Sequence, residues 1–144
     1  MKEYRRGSHT RYSIEIHLVW CTKYGKGILK GDIAYRFREI AREICSGLKV
    51  EILQGVLSKD HVHMLVSIPP QIAVSKVVQR VKGKSSYKMQ REFKSLHKEY
   101  WGQRMWGRGY FACSAGNVSS EMIAQYIEGH TEADSFKVVE ELEG

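Results

Sequence analysis

Asp60-His61-Val62-His63-Met64-Leu65-Val66-Ser67-Ile68 alternates between two kinds of residue. Side chains of a strand point to opposite faces in turn, so Val62, Met64, Val66 and Ile68 share one face and read as core. His61 and His63 project together from the other face. That geometry presents two imidazoles to one point in space from a rigid platform, which suits a divalent metal. It equally describes a strand whose solvent face carries two histidines, since two ligands alone do not fix an ion. Pro69-Pro70 ends the strand. Ser58-Lys59-Asp60 is a tight turn from a preceding strand, Val50 to Leu57.

The alternation recurs upstream. Tyr12, Ile14, Ile16, Leu18 and Trp20 fall on one face of a strand from Tyr12 to Thr22, with Ser13, Glu15, His17, Val19 and Cys21 on the other. Lys23-Tyr-Gly-Lys-Gly27 is a turn or loop. Between these strands, Asp32 to Cys45 places Ile33, Phe37, Ile40, Ala41 and Ile44 at helical spacing, and Gly47 suits a helix stop. After Pro70 a long helix is expected from about Ala73 to Phe93, buried through Val74, Val77, Val78 and Val81. Gly83 lies inside it at a cost of about 1 kcal/mol relative to alanine, which suggests a kink or a close approach. An aromatic, glycine-containing loop follows (Tyr100 to Gly109), then a short strand (Tyr110 to Ser114) and a final helix at about 118–130.

This order, with its extra helix, matches a ferredoxin-like (RRM-like) βαββαβ fold of the α+β class. Its antiparallel sheet carries helices on one face and leaves the other open. A single domain over residues 1–144 is expected, ending in an acidic tail at about 131–144. With the apolar sides of the strands turned to the core, His17, His61 and His63 share the open face.

Composition bounds the function. A formal charge of +7 points to an anionic partner, most simply nucleic acid. The basic residues gather at Lys2–Arg11, at Lys23–Lys30 and between Lys76 and Arg108. No apolar run approaches the roughly 18 residues of a membrane span, and no signal peptide is evident, so a cytoplasmic protein is expected. Cys21, Cys45 and Cys113 are odd in number and widely spaced, which argues against disulfides or a cysteine zinc site.

Tyr126 and His130 lie four apart on the last helix and share a face. A tyrosine hydroxyl, with an ordinary pKa near 10, becomes a useful nucleophile toward phosphate when a cation stabilises the developing charge. Met122, Ile123, Tyr126 and Ile127 also make an ordinary amphipathic stripe, in which Tyr126 would simply pack. On the long helix, Lys76, Arg80, Lys84, Lys88 and Arg91 recur at helical spacing, as a phosphate-binding row or as a solvated face. Trp101, Trp106, Tyr110 and Phe111 suit base stacking or a core beneath a loop.

These motifs together resemble the single-tyrosine HUH transposases, small enzymes that mobilise insertion sequences as single-stranded DNA. The resemblance covers nearly the whole chain. It is carried by His17-Leu-Val-Trp20, Thr22-Lys-Tyr24, Asp60-His-Val-His-Met-Leu-Val66, Pro69-Pro70, Val81-Lys-Gly-Lys-Ser-Ser86, Trp106-Gly-Arg-Gly-Tyr-Phe111, Ser114-Ala-Gly116 and Gln125-Tyr-Ile-Glu128. It implies that Tyr126 attacks a phosphodiester and forms a 5′-phosphotyrosine link, freeing a 3′-hydroxyl. His61 and His63, with His130 as third ligand, would hold Mg²⁺ or Mn²⁺. His17, Lys23, Lys76, Arg80, Lys84, Lys88, Arg91, Trp106 and Tyr110 become expected DNA contacts, and single-stranded DNA with hairpins at element ends the expected partner. Homodimers with composite sites are likewise implied, with Gly116-Asn117 a suitable hinge.

Two departures stand out. The family usually has glutamine where this chain has His130, and a third nitrogen shifts preference from Mg²⁺ toward Mn²⁺. Its usual Lys-Tyr-Arg after the first strand is here Lys23-Tyr24-Gly25, with Lys26 a candidate substitute. Two other readings fit parts of the pattern: a domesticated HUH endonuclease acting on repeated hairpins, and a non-catalytic ferredoxin-like nucleic-acid-binding module. The latter has no use for His61, His63, Tyr126 and His130 together.

Overall fold

The computed structural model describes residues 13–101 and 103–131; His130 and Thr131 are described in their backbone only. Four strands, β1 (Ile14–Cys21), β2 (Glu51–Ser58), β3 (His61–Ile68) and β4 (Phe111–Ser114), form one sheet in the order β2-β3-β1-β4. Every neighbouring pair is antiparallel. Helices α1 (Gly31–Gly47) and α2 (Val74–Glu92) make the two crossovers and pack on each other. This is the expected ferredoxin-like arrangement, with the histidine strand second in from one edge.

The register follows from burial. Leu18 and Trp20 on β1 and Val62, Met64, Val66 and Ile68 on β3 meet Phe37, Ile40 and Ala41 of α1. Val77, Val78, Val81 and Met89 of α2 join the same core. Each of the larger side chains contributes about 1.5–3 kcal/mol by leaving water, and a one-residue slip of a strand would carry its whole apolar set to the wrong face. The pairing Val19↔His63 and Cys21↔His61 is thereby fixed.

Three elements depart from the sequence reading. One turn of 3-10 helix (Lys23–Gly25) occupies the loop after β1, with Tyr24 and Gly25 both at positive φ. The long helix stops at Glu92 because Phe93 turns extended (φ −118°, ψ 106°), and α3 (Lys94–Tyr100), buried through Leu96 and Tyr100, follows at once. At Gly83 α2 runs on without a break, and a Cβ there would meet nothing within 4 Å. Neither a kink nor a close approach accounts for that glycine.

The first strand begins at Ile14; Tyr12, the basic residues before it and the acidic tail beyond Thr131 lie outside the described residues. No described helix is long and apolar enough to cross a membrane.

Candidate active site

Rows of side chains run across the sheet face turned away from α1 and α2. One row is Phe111 on β4, Val19 on β1, His63 on β3 and Val56 on β2; the next holds Cys113, His17 and Leu65. Cys21, His61 and Ser58 form a third. The face is less open than the alternation alone implies, because Val19 and Cys21 are buried. The cover comes from α4 (Ser120–Thr131), which packs against β1 and the 3-10 turn. A Ser119 cap opens this helix, its hydroxyl accepting from the Met122 N–H at 3.2 Å.

Tyr126 lies on that helix, half-buried, with its ring 5.8 Å from Phe111. Phe111 pairs with Val19, and Val19 with His63. Two strand spacings, roughly 10 Å of backbone, therefore separate the residue beneath Tyr126 from the histidine pair. The tyrosine helix and the histidines sit on one side of one sheet. His130 follows Tyr126 on α4, but its side chain lies outside the described residues.

The two histidines of β3 are held differently. His61 Nδ1 lies 2.8 Å from Asp60 Oδ1, the residue before it. A carboxylate there favours the tautomer with the proton on Nδ1 and leaves the Nε2 lone pair to a ligand. His63 Nε2 lies 2.9 Å from His17 Nδ1, the two rings 5.1 Å apart and tilted by 47°. Burial first, then the neighbouring His17 and His61, hold His63 below the usual imidazole range. A neutral imidazole is the form that can ligate.

These donors fit an ion in part. Neutral nitrogens on one rigid face suit Mn²⁺ and its neighbours, and Mg²⁺ less well. Among the described residues no three histidine, cysteine, aspartate or glutamate side chains converge as a complete metal cluster. An ion here would need further ligands, as Mg²⁺ commonly takes from substrate phosphate and water.

A second feature lies between α2 and the segment 103–110, a groove of about 940 Å³. Its walls include Lys23, Lys82, Arg91, Arg104, Arg108 and Tyr110. Of the basic α2 residues expected to meet DNA, Arg91 lines it, with its guanidinium 5.1 Å from the Tyr87 ring centre. Lys76, Arg80, Lys84 and Lys88 do not line it, and Lys88 pairs with Glu43 at 3.8 Å.

Lys82, Arg104 and Arg108 were not singled out from sequence. Lys82 lies off the basic row, and its Nζ donates to the carbonyls of Gly107 and Gly109, both at 2.8 Å. Trp106 requires a correction. It is only 4% exposed, its indole N–H donates to Ser85 Oγ at 2.9 Å, and it packs edge-on to Trp20 and Phe37. A ring so enclosed fills the core and offers no face to a base. Trp101, by contrast, is 87% exposed.

A ferredoxin-like sheet whose outer face carries paired histidines and a tyrosine helix, in a domain that also bears a basic groove along α2, defines a nucleic-acid-processing class of domain. Comparison with known proteins makes this particular. The sequence profile of the IS200-like transposases matches residues 10–130, and the chain belongs to that family. It is 32% identical over 126 residues to the ISDra2 transposase TnpA of Deinococcus radiodurans, spanning 88% of this chain and 90% of that one. To the transposase for insertion sequence element IS200 of Salmonella typhimurium it is 33% identical over 127 residues, spanning 88% and 83%.

Among solved structures, a candidate transposase from Deinococcus radiodurans R1 superposes with a TM-score of 0.76 at 31% identity, over 90% of this chain and 98% of that one. A REP-associated tyrosine transposase, solved with a REP hairpin, shares the fold at a TM-score of 0.54 and 14% identity, over 97% and 77%.

Proposed function

We propose that this transposase cuts and rejoins single-stranded DNA at the ends of its insertion sequence, with Tyr126 as nucleophile and the His61–His63 pair as metal platform. The observation that carries the reading is the packing of Tyr126 on Phe111, on the sheet face that bears both histidines.

Tyr126 Oη attacks the scissile phosphorus, a P–O bond to tyrosine forms, and the bond to the 3′ oxygen breaks. The 3′-hydroxyl leaves and the 5′ end stays on the enzyme. Joining is the reverse, with a 3′-hydroxyl attacking the phosphotyrosine, so the tyrosyl ester conserves the bond. His61, His63 and His130 would hold the ion, Mg²⁺ or Mn²⁺, which when bound polarises the scissile phosphate and neutralises developing charge. Asp60 keeps His61 oriented, and Phe111 with the covering helix holds the tyrosine over the sheet. The groove cations Lys23, Arg91, Arg104 and Arg108 are suited to take the DNA backbone, with hairpins at the element ends as the structured part of the substrate. A homodimer belongs to the same reading, the Gly116–Asn117 turn before α4 being the place where the helix could pass to a second copy.

Covalent capture tests this. Labelled single-stranded DNA carrying the element's own ends is incubated with the protein and Mg²⁺ or Mn²⁺, then run on a denaturing gel. A metal-dependent, protease-sensitive adduct absent in Tyr126→Phe and His63→Ala is expected. Tight, salt-sensitive binding with no adduct under any ion would leave a DNA-binding domain without this chemistry.

A further inference from the structure

His17 stands on β1, one cross-strand row away from His63 and diagonal to it, because β1 pairs Val19 with His63 and His17 with Leu65. The pairing is fixed by the core on the opposite face, so the position of His17 is as rigid as the sheet itself. Its imidazole is half-buried, and its Nδ1 is engaged at 2.9 Å by the ring nitrogen of His63. A nitrogen so engaged is turned along the sheet toward the histidine pair. That orientation disagrees with a residue placed to reach out to phosphate or base.

The arrangement around the two β3 histidines then has a common logic. Each ring has one nitrogen bound by a neighbour, His61 by the carboxylate of Asp60 and His63 by the imidazole of His17. A hydrogen bond at one ring nitrogen sets the tautomer and limits rotation about the side-chain torsions. Loss of such a partner typically weakens metal binding by 10–100-fold.

Resting on the metal-site reading above, we propose that His17 is a positioning residue for His63, holding that imidazole at Nε2 and leaving its Nδ1 to the ion, the converse of His61, which Asp60 holds at Nδ1 so that Nε2 is left. It is thereby removed from the set of DNA contacts. Asparagine is the informative replacement, because its side-chain amide lies near the position of a histidine Nδ1 and can donate or accept there.

The test is Mn²⁺ affinity of the full-length protein without DNA, read from the electron paramagnetic resonance of unbound Mn²⁺. It compares wild type, His17→Ala, His17→Asn and His61→Ala, with binding of single-stranded DNA in EDTA measured beside it. His17→Ala should bind Mn²⁺ at least about tenfold more weakly, His17→Asn should recover most of that loss, and DNA affinity in EDTA should be unchanged in both. Wild-type Mn²⁺ affinity in His17→Ala, no recovery in His17→Asn, or weakened DNA binding in EDTA would each overturn the assignment. Should His61→Ala bind Mn²⁺ as well as wild type, or wild type bind none, the metal platform itself falls and the role of His17 with it. Loss in His61→Ala beside full retention in His17→Ala removes His17 alone.

Discussion

The carboxylate of Asp60 lies 2.8 Å from Nδ1 of His61, its immediate neighbour in the chain. Asp60 is half-buried at the end of the β2–β3 turn, where its carbonyl also accepts from the Thr22 N–H at 3.0 Å. Turn, strand end and imidazole are thus tied together at the point where the site begins. Asp60→Ala should keep the fold yet lower Mn²⁺ affinity by about 10–100-fold, and Asp60→Asn, which still accepts a hydrogen bond but lacks the charge, should fall between. Calorimetric titration of the three proteins decides it; equal affinities would mean that His61 needs no partner.

Gly83 offers a cleaner stability test. It sits inside an unbroken helix where, beyond its chain neighbours and the helix's own backbone, nothing lies within 4 Å of a Cβ, and its φ is not positive. Gly83→Ala should therefore stabilise the protein by roughly 0.8–1 kcal/mol, chiefly by restricting the unfolded chain. Urea unfolding would show this as a higher midpoint at constant slope. A lower midpoint would reveal a contact or conformation that alanine cannot adopt.

How far the sequence carried the site depends on what kind of physics places each residue. His61 and His63 were legible because period-two alternation alone assigns them to a face, and the core on the other side forbids a slip. Both crossover helices were legible through the 3.6-residue spacing of their apolar positions, and the ferredoxin-like arrangement through the order of the elements along the chain. Trp106 was not, since stacking on a base and filling a core draw on the same apolar ring, and only burial against Trp20, Phe37 and Ser85 separates them. The groove was illegible in a different way. It joins α2 to residues 103–110 through tertiary contact, so Lys82, Arg104 and Arg108 share no spacing that a helical period could reveal. The break at Phe93 was missed because Phe93 is no helix breaker; the turn there lets Leu96 and Tyr100 reach the core.

Lys82 carries a pH dependence. Burial first, then the Arg104 guanidinium, lowers its amine from the ordinary 10.5 to about 8. Between those values the unfolded chain binds more protons than the native one, so stability rises with pH across the window and is lost as pH falls through about 8. The amine is part-exposed, and solvent screening keeps the effect below about 3 kcal/mol. Lys82→Met removes the titration together with the two carbonyl hydrogen bonds. The urea midpoint of wild type should accordingly rise relative to that of Lys82→Met as pH increases from 8 to 10.5 if the gain belongs to Lys82. Parallel curves would assign it elsewhere.

The groove and the outer surface of α2 make opposite predictions for DNA. Arg104 and Arg108 line the groove, whereas Arg80 and Lys84 lie outside it on the same helix layer. Each phosphate contact to a single strand contributes about 0.7 to the slope of log affinity against log salt. If the backbone runs through the groove, Arg104→Ala and Arg108→Ala should each flatten that slope by about 0.7, while Arg80→Ala and Lys84→Ala leave it unchanged. Fluorescence anisotropy with a labelled single strand in EDTA, over a series of salt concentrations, separates the cases without any contribution from catalysis. The reverse pattern would place the strand along the exposed basic row of α2 and make the groove a structural seam between α2 and the 103–110 segment.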